Sequence, residues 1–160
     1  MKSRLLTFIA AVLLFTWSAQ SPAAANNGRK IYQSECGACH VAYPPVFLSS
    51  ASWDALLQHL DDHFGDNAEL ADTDLASIKS YLEQNNYDNS NIKKRYGTRF
   101  DTPGTPLRVS ETRFFKAVHG EVPDRLVTGN PKVKTYARCG ACHSGAQRGS
   151  FDEDEVRIPR

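Results

Sequence analysis

Two identical pentapeptides, Cys36-Gly37-Ala38-Cys39-His40 and Cys139-Gly140-Ala141-Cys142-His143, constrain this chain more than any other feature, because together they use all four of its cysteines. The C-x-x-C-H spacing is that of covalent c-type haem attachment. Two thiols one helical turn apart can add across the two vinyl groups of one porphyrin, and the next residue sets an imidazole beneath the iron as proximal ligand. Cys36, Cys39, Cys139 and Cys142 are therefore read as the attachment points of two haems, with His40 and His143 as proximal ligands. Gly and Ala between the thiols keep bulk away from the macrocycle. A four-cysteine zinc site would pair two C-x-x-C knuckles, usually closer in sequence than Cys39 and Cys139, and has no use for a His after each. Two disulfides would suit an exported chain but leave His40 and His143 unexplained.

Export is indicated by the first residues. Lys2 and Arg4 precede an apolar run from Leu5 to Trp17, followed by Ser18-Ala19-Gln20-Ser21-Pro22 and then Ala23-Ala24-Ala25. The run is shorter than the roughly 20 residues of a spanning helix, and the small residues suit a signal peptidase. Residues 1–25 read as a signal peptide, with an uncleaved anchor as the alternative. Cleavage after Ala25 would leave a periplasmic chain with no stable membrane insertion. No Cys follows the Ala run, so nothing supports a lipid anchor.

The remaining 135 residues are poor in core-forming side chains: Leu, Ile, Val and Phe number 27, or 20%. That fraction borders on the disordered range, but 17 basic against 18 acidic residues give a net charge of only −1, unlike a disordered chain. Two large apolar porphyrin plates account for the deficit. Nothing in the composition points to nucleic acid.

Each iron needs a sixth ligand or a vacancy. The only Met is Met1, so the mature chain has no thioether to offer. His59, His63 and His119 remain for two irons. His59 and His63 are expected on one helix opened by Ser52 as N-cap and closed by Gly65, with an apolar stripe of Trp53, Leu56, Leu57, Leu60 and Phe64. At about 100° per residue, His63 lies roughly 80° from the centre of that stripe and His59 roughly 120°. His63 is thus the better aimed, and His59 reads as a polar-face residue. A second short helix, capped by Ser110 and stopped by Gly120, ends in His119. His63 follows His40 by 23 residues and His119 precedes His143 by 24. His63 is assigned to the first haem and His119 to the second because they are nearest in sequence, with a crossed arrangement as the alternative.

The rest of the chain shows almost no strand alternation. A helix is expected from residue 28 to 36, leading into the first attachment site, and another from about Thr73 to Glu83. Tyr43-Pro44-Pro45 forces an extended loop that we expect against a haem edge. Residues 85–106, rich in Asn, Gly and Pro, form the expected boundary between two lobes. The fold class is therefore all-α, short helices and loops packed around two covalent c-type haems, with lobes at 26–91 and 92–160 that depend on each other.

Several less common pieces accompany the attachment motifs: Tyr43-Pro44-Pro45, Ser52-Trp53, Asp62-His63-Phe64-Gly65 with Asp66 and Ala68, Glu111-Thr112 followed by His119, and the second pentapeptide with Ile158-Pro159 beyond it. Together they resemble the bacterial dihaem cytochrome c family over essentially the whole mature chain. The resemblance implies bis-His ligation, His40 with His63 and His143 with His119, and electron carriage in the periplasm. It also implies redox partners: a small oxygen-binding monohaem cytochrome c and a membrane b-type cytochrome.

Near-neutrality conceals an uneven distribution of charge. Residues 26–91 carry 3 basic and 10 acidic side chains, and residues 92–160 carry 14 basic and 8 acidic. Beyond ordinary solvated faces, this suggests that each lobe steers a partner of opposite charge. Negative surroundings favour ferric iron, so the first haem is expected at the lower potential and electrons are expected to pass from the acidic lobe to the basic one. Two function classes follow: an electron carrier with two six-coordinate low-spin haems, or a haem enzyme or gas- or peroxide-binding protein with one open or displaceable axial position. Two suitably placed distal His residues favour the carrier. Because haem supplies the missing core, the Cys-to-Ser apoprotein is expected to lack cooperative tertiary structure; a native-like sigmoidal unfolding transition would refute this.

Overall fold

The computed structural model describes residues 22–160. The predicted signal peptide lies outside the described residues up to Ser21. Among the described residues there are five α-helices, α1 (Pro22–Glu35), α2 (Ser50–Leu57), α3 (Asp72–Asn85), α4 (Asn91–Tyr96) and α5 (Arg113–His119), joined by single 3-10 turns and loops. No strand forms among the described residues. Two isolated bridges, His63 with Asp66 and His143 with Val156, are the only β-type pairings among the described residues. The expected all-α architecture is the observed one, and no described helix is long and apolar enough to cross a membrane.

The first half is organised by α1 lying against α3. Gly28 makes this approach possible: a Cβ there would lie 2.6 Å from the Ser77 carbonyl oxygen and 3.0 Å from the Tyr81 Cβ. Next to the contact sits a small core of Tyr32, Leu48, Trp53, Leu56, Ile78 and Leu82. Its polar atoms are satisfied locally. The Trp53 indole N–H donates to the Pro45 carbonyl at 2.7 Å, and the Tyr32 hydroxyl donates to the Tyr43 carbonyl. Both bonds fix the Tyr43-Pro44-Pro45 loop against the core.

α3 runs a little longer than its apolar spacing predicts, since Asp72 and Asp74 in its first turn complement the helix dipole. Its C-terminus is closed by Asn86, which is 1% exposed. The Asn86 amide donates to the Leu82 and Glu83 carbonyls and accepts from the Asp88 and Asn89 amides. One side chain thereby satisfies two orphan carbonyls and starts the next turn. The Asn-rich stretch after residue 85, expected as the start of a boundary between two lobes, is ordered into a 3-10 turn and α4, whose N-terminus is capped by Ser90.

The second half has no comparable aliphatic cluster. Its packing is aromatic, and one first-half residue joins it: the Phe47 ring lies 5.2 Å from Phe151 and 6.4 Å from Phe114, while Phe114 continues to Phe100 at 5.5 Å and Phe100 to Tyr96 at 5.4 Å. Val109 in turn packs on the first-half core. Gly28→Val is expected to force α1 and α3 apart and to cost about 2 kcal/mol. A lower urea midpoint for the haem-loaded variant, at unchanged m-value, is the check.

Candidate functional site

The first pentapeptide begins where α1 stops. Cys36 continues the helical turn through its amide bond to the Tyr32 carbonyl at 3.0 Å, and His40 follows in the exit bend. The second sits in a 3-10 turn, Cys139–Ala141, held by amide bonds from Cys142 and His143 to the Cys139 carbonyl. The C-terminal segment ties it down further: the Arg157 amide donates to the Cys142 carbonyl at 2.8 Å. No disulfide joins Cys36, Cys39, Cys139 or Cys142. Burial pushes the Cys36 thiol up to about 11, with Glu35 adding to the effect, and burial also raises Cys139 and Cys142. Among the described residues no three His, Cys, Asp or Glu side chains converge as a metal cage.

The histidines instead meet in pairs. The His40 and His63 ring centroids are 6.3 Å apart at an interplanar angle of 18°. Those of His119 and His143 are 6.0 Å apart at 68°. Iron–nitrogen bonds of about 2 Å on each side, plus the ~1 Å from ring nitrogen to ring centre, would set two imidazoles across one iron about 6 Å apart. The pairs thus leave a space of the right depth for one metalloporphyrin each. His59 is exposed and faces no partner of this kind.

Burial lowers the pKa of His63, His119 and His143, for His63 with help from His40 and Arg108. Neutral imidazoles with a free lone pair are what metal ligation requires. One ring nitrogen is oriented in each pair. The His40 Nδ1–H donates to the Val41 carbonyl at 2.7 Å and the His119 Nδ1–H to the Phe115 carbonyl at 3.1 Å, which leaves Nε2 of each as the free lone pair. The Nδ1 atoms of His63 and His143 are buried without a partner.

The elements that present the distal candidates differ from the sequence expectation. α2 is capped by Ser49, whose hydroxyl accepts from the Ser52 amide, and ends at Leu57; His59 and His63 lie beyond it. The predicted helix to Gly65 is corrected. The reason lies in a compact loop over residues 60–68, closed at its neck by the Ala68 amide on the Leu60 carbonyl at 2.7 Å. Inside it, His63 and Asp66 exchange backbone bonds, and Phe64 is driven to φ +59°, a conformation costing a non-glycine residue about 1–3 kcal/mol. This turn swings the imidazole inward, which a continuing helix could not. His119 does end a helix, but the cap of α5 is Thr112, accepting from the Phe115 amide, while Ser110 belongs to the preceding 3-10 turn. The Phe115 ring lies flat on His119 at 3.9 Å and 11°.

A cavity of about 320 Å³ connects the two attachment regions. Cys36, Cys39, His40 and His63 line it from the first half, and Arg108 and Cys139 from the second. Tyr43 spans it: its ring stacks on His40 at 5.0 Å, and its hydroxyl donates to the Ala137 carbonyl, two residues before Cys139, at 3.1 Å. Burial, and secondarily Cys139, pushes that hydroxyl up to about 12, so it remains a donor. Sequence reasoning placed Tyr43 near a haem edge but not this link to the other half. Arg108 was missed altogether. Its guanidinium sits 4.0 Å over the Phe64 ring, and no motif around it marks that position.

A family model for dihaem cytochrome c matches residues 32–151. Among solved structures, the diheme cytochrome c of Shewanella baltica OS155 is 37% identical, with a TM-score of 0.67 over 82% of this chain and 94% of that one. A diheme cytochrome c from Rhodobacter sphaeroides is 40% identical, with a TM-score of 0.66 over 76% of this chain and 95% of its own. The comparison with curated proteins returned no match.

Proposed function

Because this chain belongs to the dihaem cytochrome c family, which makes two c-type haems its cofactors, we propose that it is a periplasmic electron carrier, not an enzyme, in which both irons are held between two imidazoles. The observation that carries this reading is the recurrence of facing imidazoles at 6.3 and 6.0 Å, each pair containing the His of one attachment motif. The haems supply the chemistry, a one-electron ferric/ferrous couple that needs no proton or substrate.

The residues of the chain hold and tune that couple. Cys36 and Cys39 would carry the first haem, and Cys139 and Cys142 the second. Nε2 of His40 is presented by the Nδ1 bond to Val41, and Nε2 of His119 by the bond to Phe115. With no thioether available, imidazole pairs favour low potentials. Tyr43 fixes the His40 ring and the backbone before Cys139 in one frame, so that neither site needs to reorganise much when its charge changes. Redox proteins are the partners this reading calls for, a small oxygen-binding monohaem cytochrome c and a membrane b-type cytochrome being those that the family resemblance suggests. The export-type N-terminus supports the periplasm as the compartment.

The two ring geometries give the reading a direct test. Near-parallel imidazole planes split the ferric orbitals more than crossed planes do. The oxidised holoprotein is expected to show two low-spin paramagnetic resonance signals, an ordinary rhombic one from the 18° pair and a strongly anisotropic one from the 68° pair. A high-spin signal from either haem in the resting protein would defeat the bis-His reading.

The same signals report the order of the potentials. Acidic side chains dominate the first half, and Asp66 acts on His63 there, although Arg108 opposes it. We therefore expect the rhombic signal to persist to lower applied potential than the anisotropic one during a redox titration. The opposite order would reverse the proposed direction of electron flow.

A further inference from the structure

The two distal imidazoles are held very differently. His119 ends a capped helix, its Nδ1–H is bound to the Phe115 carbonyl, and the Phe115 ring covers its face at 3.9 Å. Tyr136 meets it edge-on at 6.2 Å. His63 has none of these restraints. Its Nδ1 is unpartnered, its nearest aromatic neighbour besides His40 is the adjacent Phe64, and it sits on the loop of residues 60–68.

That loop is closed largely on itself. Its hydrogen bonds are local: the Phe64 amide to the Asp62 carbonyl, the Gly65 amide to the Asp62 side chain, the His63–Asp66 exchange, the Ala68–Leu60 closure at the neck, and the Asn67 side chain with the adjoining Glu69. Phe64 is strained at φ +59° and 46% exposed, and Gly65 follows at φ +100°, a conformation open to glycine. The visible side-chain tether to the other half is the Arg108 guanidinium over Phe64. Lifting the loop would break that contact and open the cavity it walls, without reaching Ile78, which is fully buried and does not line that cavity.

We propose that His63 is a displaceable distal ligand, so that the first haem site, and not the second, admits a small diatomic ligand such as carbon monoxide or nitric oxide. In the reduced protein the Nε2 lone pair of His63 leaves the iron and the lone pair of the incoming carbon or nitrogen takes its place. One two-electron donor replaces another. With carbon monoxide no proton moves, and the iron stays ferrous. The inference rests on the bis-His reading and adds to electron carriage a gas-responsive site on the same chain. Occupancy would remove the first haem from the electron path while the second continued to cycle.

The test uses the dithionite-reduced holoprotein and carbon monoxide, followed by its absorption change. The unaltered protein is expected to bind one equivalent per chain in a slow phase whose rate stops rising at high carbon monoxide, since release of His63 limits it. In His63→Ala one equivalent should enter rapidly and no slow phase should remain. In His119→Ala a rapid equivalent should join the slow one. Arg108→Ala keeps every candidate ligand and removes the tether, and is expected to accelerate the slow phase several-fold. A slow phase that survives in His63→Ala, an absence of uptake by the unaltered reduced protein, or an unchanged rate in Arg108→Ala would each overturn the proposal. Failure of the bis-His reading itself would show separately, as a high-spin signal in the resting ferric protein.

Discussion

A pair of imidazoles facing each other across about 6 Å, formed twice, is the constraint that the rest of the structure serves. In each pair one His is fixed by covalent neighbours, because the C-x-x-C-H spacing leaves it little choice of position. The other must be brought in from a distant part of the chain: α2 and the loop of residues 60–68 deliver His63, and α5 delivers His119. With so few aliphatic side chains to bury, these elements have no large core of their own to assemble. The six-residue cluster around Trp53 and Ile78 anchors the first delivery, and the aromatic row from Phe151 through Phe47 to Phe100 anchors the second. Much of the remaining cohesion has to come from the porphyrins.

The features legible in the sequence were those encoded by spacing or by scarcity. Cys36 to His40 and Cys139 to His143 are read at sight, and the absence of Met narrows the distal candidates to three residues. The ordering of His63 above His59 came from helical periodicity, and the structure gives His63 the inward position by a different route. α2 stops at Leu57, and a left-handed residue at 64 turns the imidazole in. Periodicity cannot anticipate that, because Phe64 is a residue type that avoids positive φ unless tertiary contacts compensate. Ser49 and Ser52 are both reasonable caps, as are Ser110 and Thr112, and only the backbone that follows decides which hydroxyl meets an amide. Arg108 and the Tyr43 bond to Ala137 depend on how the halves pack, so no local signal could mark them.

These two residues also change how the charge pattern should be understood. Counted along the chain, the first half is strongly acidic and the second basic, as though each cofactor had its own electrostatic surroundings. In space the separation is incomplete. Arg108 belongs to the basic half, yet it faces the first cavity and acts on both His63 and Tyr43. A single guanidinium at the cavity wall competes with several solvated carboxylates farther out, because exposed charges beyond about 10 Å are largely screened at moderate ionic strength. The first site therefore feels Arg108 and Asp66 directly, in opposite senses, in addition to the acidic net charge of residues 26–91.

The two distal arrangements distribute rigidity in the same uneven way. Electron carriage rewards a site that does not reorganise, and the His119 side meets that demand with a helix, a carbonyl and a stacked ring. The His63 side spends strain at Phe64 and places its imidazole on a loop whose neck is a single backbone bond, 2.7 Å from Ala68 to Leu60. Strain of this kind persists only where surrounding contacts hold it in place. One of those contacts, Arg108 over Phe64, comes from the opposite half of the molecule. A partner that docked near Arg108 and drew its guanidinium away would thus loosen the first distal ligand without touching it, coupling surface recognition in one half to axial ligation in the other.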